Sequence, residues 1–385
     1  MRYRSLFRIS LNLQKITKWN FINNIMKKNL TVLSALSVAL LMASCSKKDS
    51  TTPTPVYTVP TTYNFSNANF ADATTRLGMI TEIQNVEKAA TTGVVDGDKA
   101  KAMFANTGSP FTTAAYNTSG IQLKDQTAAL FQTDVLRFID TLVAVSKTGK
   151  VASRGVAGVG ASTANASSKY ALTANGMNYA QVFSKTIMGG LMAYQIVSIM
   201  NAANTGTIDN TTVTNNSTAL ERAWDIAFGY WGVPIDFPTN KTGAKLWGSY
   251  STQVDSGYHA NKILMDAFLK GRAAVSAKDT KTIQEQSTII LQAMERLTGA
   301  VALQEVKEAK ASLNDPILLN SRLSECYAFV YSLKYIPKRT ITDNQINAIL
   351  ALFPKNYYDL TLDQLNAIRD AVAQQYNFES VKDIL

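Results

Sequence analysis

The stretch Leu220–Pro238, LERAWDIAFGYWGVPIDFP, sets the character of the chain. Read at helical period, Leu220, Trp224, Ala227, Phe228 and Trp231 fall on one apolar face. Glu221 and Asp225, four apart, share another face with Gly229, and Gly232 follows one turn on. A glycine inside a helix costs about 1 kcal/mol against alanine, so two of them imply close approach by a neighbouring helix or a ligand.

The same period recurs on both sides. Leu77, Ile80, Ile83 and Val86 mark a helix over about 71–91, and Asp96 or Asp98 caps a short one. Further helices are expected over 123–147, 178–203, 256–275 and 280–313, the last capped by Asp279. Asp315-Pro316 opens another that runs to about Ile336. Thr342-x-x-Gln345 and Thr361-x-x-Gln364 have the form of capping boxes for two C-terminal helices. No segment alternates like a strand, so the expected fold is all-α. Residues 148–176 and 206–217 are rich in Gly, Ala, Ser, Thr and Asn and are expected to be loops, the first a disordered or floppy cover. Ala227-Phe228-x-Tyr230 before Pro234 is echoed by Ala328-Phe329-x-Tyr331 before Pro337, a hint of duplication into halves of roughly 63–238 and 239–385.

The formal net charge of +10 is concentrated at one end. Residues 1–44 hold seven Lys or Arg and no acid, which leaves 31 of the 38 bases against all 28 acids, a net +3. A body so near neutrality has no electrostatic footprint for nucleic acid. From Met26 the chain reads two lysines, an apolar run from Leu30 to Met42, then Ala43-Ser44-Cys45. That layout is a signal peptide over 26–44, too short for a membrane span, and Met42–Cys45 resembles the lipobox of bacterial lipoproteins. Cys45 is then the lipidated first residue of the mature chain, and residues 1–25 are an upstream extension outside the true start. Residues 45–62, rich in Ser, Thr and Pro, are a tether leading to a body over 63–385. These features predict a protein of the cell envelope, held to the outer membrane through its lipid. With Cys45 so used, Cys326 has no disulfide partner and is expected in the core.

Two arrangements are candidates for chemistry. Glu221 and Asp225 on one helix, with His259 and Asp266 seven apart on another, offer three carboxylates and an imidazole, a set suited to iron, zinc or manganese. The competing reading pairs Glu221 and Asp225 with Arg222, Lys262 or Arg272 in salt bridges. Trp224, Tyr230, Trp231, Trp247, Tyr250 and Tyr258 form an aromatic cluster, from which Trp247, Tyr250 and Tyr258 are the candidates for an exposed stacking platform. Trp224 and Trp231 lie on the apolar face and are expected in the core. A single histidine and the absence of HExxH, CxxC or a phosphate-binding glycine loop leave no complete catalytic motif.

Tyr179–Gln195 (YAQVFSKTIMGGLMAYQ), WDIAFGYWGVPIDFP, Ile263–Ala274 (ILMDAFLKGRAA) and SECYAFVYSLKYIP together resemble an uncharacterised family of bacterial helical lipoproteins related to the imelysin-like proteins. The resemblance implies two packed helical bundles from a duplication. It also brings the imelysin peptidase activity, a His-x-x-Glu motif and a link to iron uptake. This chain departs from that motif: Arg222 and Ala223 precede Trp224, Ile226 stands where a glutamate is expected, and only Asp225 remains, while the second copy keeps Glu325 without a histidine. The expectation is therefore a non-enzymatic, lipid-anchored ligand-binding or accessory protein. The alternatives are an imelysin-type metal-binding protein or metallopeptidase, and a glycan-binding lipoprotein serving an outer-membrane transporter.

Overall fold

Thr218 starts the central helix. Its hydroxyl accepts from the Glu221 amide while the Glu221 carboxylate accepts from the Thr218 amide, a complete capping box. The helix, Ala219–Trp231, ends at Gly232, whose φ of 79° is the left-handed C-cap conformation that glycine adopts without strain. Gly229 is the other special position. A Cβ there would stand 2.8 Å from both Ala73 and Phe70, so the close approach comes from a neighbouring helix.

A computed structural model describes residues 56–385. The expected extension over 1–25, the signal peptide over 26–44, Cys45 and most of the tether lie outside the described residues. In chain order the helices are α1 (Ala71–Lys88), α2 (Gly97–Ala105), α3 (Ala114–Asn117), α4 (Ala129–Ser146), α5 (Tyr179–Ile187), α6 (Tyr194–Asn204) and α7 (Ala219–Trp231). They continue as α8 (Trp247–Gln253), α9 (Asp255–Tyr258), α10 (Ala260–Ala277), α11 (Thr280–Ala311), α12 (Pro316–Ser332), α13 (Asp343–Leu350) and α14 (Leu362–Tyr376). The fold is all-α. Asp96, Asp279 and Asp315 cap α2, α11 and α12, and both threonine–glutamine capping boxes form.

The 32-residue α11 is the axis of the body, packing against α6, α10, α12 and α14. One apolar core runs from Tyr63 to Leu385, so the two sequence halves share their interior: α6 meets α11 and α5 meets α12 across the division. Cys326 is buried within it as a free thiol.

Tyr179–Asn204 is apolar and long enough to cross a membrane, but two-thirds of its most apolar stretch is buried inside the body, as befits a core helix. Between α5 and α6 the helix widens to a π segment over Met188–Ala193. The altered bonding leaves backbone acceptors for other elements: the Trp247 indole donates to the Met188 carbonyl (2.9 Å), and the Ala128 amide donates to that of Gly190 (2.8 Å).

The expected floppy cover over 148–176 is ordered instead. Gly158–Ala161 (β1) pairs antiparallel with Lys169–Leu172 (β2), Gly158 facing Leu172. Ser162 donates to Asp315, the cap of α12, and Leu172 packs with Ala152 and Ile317. Small residues allow this because the hairpin lies flat: a Cβ on Gly160 would meet Ile317 at 2.5 Å. A second, two-residue pairing of Val213–Thr214 (β3) with Ser217–Thr218 (β4) turns through Asn215 and Asn216, both at positive φ.

Candidate functional site

Asp225 is completely buried, and its partners arrive from two directions. Tyr63 donates its hydroxyl (2.8 Å) and Asn69 its amide (3.1 Å) from the segment before α1, while Arg272 of α10 donates Nε (2.7 Å). Glu221 accepts from Arg272 Nη1 (3.1 Å), Ser276 Oγ (2.7 Å) and the Thr218 amide (2.9 Å). Arg272, also fully buried, reaches Asn67 Oδ1 through Nη2 (2.8 Å) and lies over the Phe65 ring. Burial lifts the Asp225 carboxyl above its ordinary range, and Arg272 pulls against that rise. Burial would lower the Arg272 pKa, but Asp225 and Glu221 hold it above the usual guanidinium value. The two carboxylates thus hold an arginine in a closed network: the salt-bridge reading is the one the structure bears, with Arg272 as the cation.

The proposed metal quartet is not assembled. Glu221 and Asp225 are buried, whereas His259 and Asp266 are exposed. His259 sits at φ 56° between α9 and α10, breaking the single helix expected there, and Asp266 is paired with Lys262 on the surface. Among the described residues, no group of three or more His, Cys, Asp or Glu is placed to hold a metal.

The exposed platform is likewise corrected. Trp247 is wholly buried, its indole committed to the π segment, and Tyr258 is 6% exposed with its hydroxyl on the Ala293 carbonyl (3.2 Å). Polar flanking residues misled because neither ring follows its neighbours outward; each is the apolar anchor of a short helix. Tyr258 does line a shallow depression with Arg296 and Phe378, the guanidinium lying over both rings. Trp224 and Tyr230 are core, the Trp224 indole donating to the Phe268 carbonyl (3.1 Å), and Trp231 stacks on Phe268. Glu325 meets Lys185 (3.3 Å) and Arg322 (3.4 Å) and accepts from Tyr250 (3.4 Å), a second ion-pair network.

Among the buried carboxyls of the described residues, Glu87 stands apart. It lies on the buried face of α1 with Ile80, Ile83 and Gln84, is 1% exposed, and neither carboxylate oxygen has a hydrogen-bond partner. Burial alone pushes its carboxyl well above the usual range; no nearby cation opposes that. A buried carboxyl in that condition costs about 1–3 kcal/mol, so its surroundings matter. It lines a cavity of about 570 Å³ between the last turn of α1, β2 and the first turn of α5, with Lys88, Lys169, Tyr170 and Gln181. That size falls in the range of small-molecule pockets. An adjoining hollow of about 480 Å³ shares Ala90, Thr91, Thr92 and Lys169 and extends to Val151. Asn178 fixes the α5 wall, capping the helix through Oδ1 and donating to Ser321 (3.1 Å). A small apolar cluster of Ala90, Val95, Leu142, Val145 and Ala171 lies beside it.

Sequence reasoning passed over Glu87 because a strict three-residue rhythm put Val86 on the inner face. The signal was available: Glu87 follows Ile80 by seven and Ile83 by four, so a charge occupies an apolar stripe.

The family model described as a domain of unknown function (DUF4856) matches residues 60–379. No curated protein matches the chain, and no solved structure does.

Proposed function

The chain belongs to this family of unknown function, and from its own residues we propose a lipid-anchored cell-envelope protein, non-enzymatic, whose helical body binds a small ligand in the Glu87 cleft. The observation that carries the binding reading is a carboxyl with no partner, buried at the wall of a cavity that the ordered hairpin helps to form. Natural proteins satisfy nearly all buried polar groups, and the exceptions cluster where something is to be bound. The anchoring reading is supported by the lysine pair, the short apolar run and Cys45, followed by a Ser/Thr/Pro-rich stretch. On this reading the lipid places the body at the outer membrane, and its partner there is a transporter or another envelope protein to which it offers the ligand.

Two measurements test these parts separately. Metabolic labelling with palmitate should mark the wild-type chain and not Cys45→Ala, with the variant lost from the membrane fraction; an unlabelled wild type refutes the anchor. A thermal-shift screen of small metabolites should yield a stabiliser of the wild type whose effect is lost in Glu87→Gln; equal stabilisation of both refutes the cleft as its site.

A further inference from the structure

The charges around the cleft are ordered by depth. Glu87 is buried, while Lys88 on the same helix and Lys169 on β2 are exposed at its rim. Lysine ion pairs among the described residues are made by Lys101, Lys185, Lys262, Lys281 and Lys382, which leaves both rim lysines without a carboxylate. Between the buried acid and the rim lie the half-buried, neutral hydrogen-bonding groups Thr91, Tyr170 and Gln181. A ligand complementary to this order carries a positive group at its inner end and a negative group at its outer end.

We propose that the cleft takes a small zwitterion, an amino acid or short peptide, with its ammonium group on Glu87 and its carboxylate on Lys88 or Lys169. This rests on the ligand-binding reading and names its ligand class. The Glu87 carboxyl, whose oxygens are closed off from the cavity in the free protein, turns to meet the entering ammonium, which supplies the missing hydrogen-bond donors and charge; the carboxylic acid gives its proton to solvent and becomes the carboxylate of a charge-assisted pair. The outer carboxylate stays where water and the two lysines share it, so only one ion pair is desolvated. A free dication has no second acid in the cleft, and a dianion has no buried cation. Among the lining residues Glu87 is the one acid, and Lys88, Lys169 and Tyr170 are the other titratable residues.

The test uses the full chain in detergent, labelled with carbon-13 at glutamate carboxyls. Titration with diglycine, and with a mixture of free amino acids, should move the Glu87 carboxyl resonance from the protonated to the ionised position. Calorimetry in two buffers of different ionisation enthalpy should show net proton release on binding. Glu87→Gln should weaken binding roughly tenfold to a hundredfold and abolish proton release. N-acetyl-diglycine should not bind, and diglycine amide should bind less tightly than diglycine. Binding of the acetylated peptide equal to that of diglycine, or failure of every amino acid and peptide, overturns the zwitterion. If glycerol, a neutral polyol titrated in the same way, then moves the Glu87 resonance, the ligand site stands and only its class is wrong. If nothing moves it, both fall, and Glu87 is a protonated core residue.

Discussion

Replacing Glu87 by glutamine should change how stability depends on pH more than it changes stability itself. In the unfolded chain a glutamate loses its proton near pH 4.3, roughly. In the folded chain burial holds the Glu87 carboxyl protonated well above that range. Between the two values the native state keeps a proton that the unfolded state has lost. The difference in bound protons, unfolded minus native, is then −1, and stability falls as pH rises by about 1.4 kcal/mol per unit. Below about pH 4 both states are protonated and the contribution is flat. Glu87→Gln has no such titration. Its buried amide is also without partners, so at low pH the two proteins should agree within about 1 kcal/mol. Above that, wild type should fall behind the variant by about 1.4 kcal/mol for each pH unit until the native carboxyl ionises. Urea unfolding of both proteins across pH 4 to 8, subtracted pairwise, cancels every other titrating group. Parallel profiles would refute the reasoning, since they would mean that Glu87 is already ionised in the folded protein.

Arg272→Met strips the buried cation from Asp225 and Glu221 and should cost about 3–5 kcal/mol by denaturant unfolding, far more than surface replacements such as Lys262→Met. Thr218→Ala removes half of the central capping box and should cost about 1 kcal/mol, measured the same way. Ser162→Ala frees β1 and β2 from the cap of α12; hydrogen exchange of the 158–172 amides should accelerate while α11 stays protected.

Helical period and caps made most of the architecture legible. The aspartate caps and threonine–glutamine boxes were visible because they depend on residues three apart in sequence. Two things were not. Whether Asp225 meets a cation or a metal depends on Arg272, 47 residues away, and that pairing is set by helix packing. The hairpin over 158–172 carries no strand alternation, because it is held by Ser162, Leu172 and Gly160 against α12 rather than by an apolar face of its own. Sequence polarity around Trp247 and Tyr258 pointed outward, yet backbone carbonyls of distant helices captured the indole and the hydroxyl. Glu87 is the reverse: one charge in an apolar stripe, visible in hindsight at helical spacing.

The segment from Tyr63 to Asn69 is gripped by Asp225, Glu221 and Arg272 before α1 begins, and Tyr57 reaches Asp279 upstream of it. Whatever the residues before Val56 are fastened to, a pull on them is borne first by Tyr57 on Asp279 and then by this grip. Tension would therefore be taken up by the middle of the body through α7 and α10, and α1, with Glu87 at its far end, would feel it last.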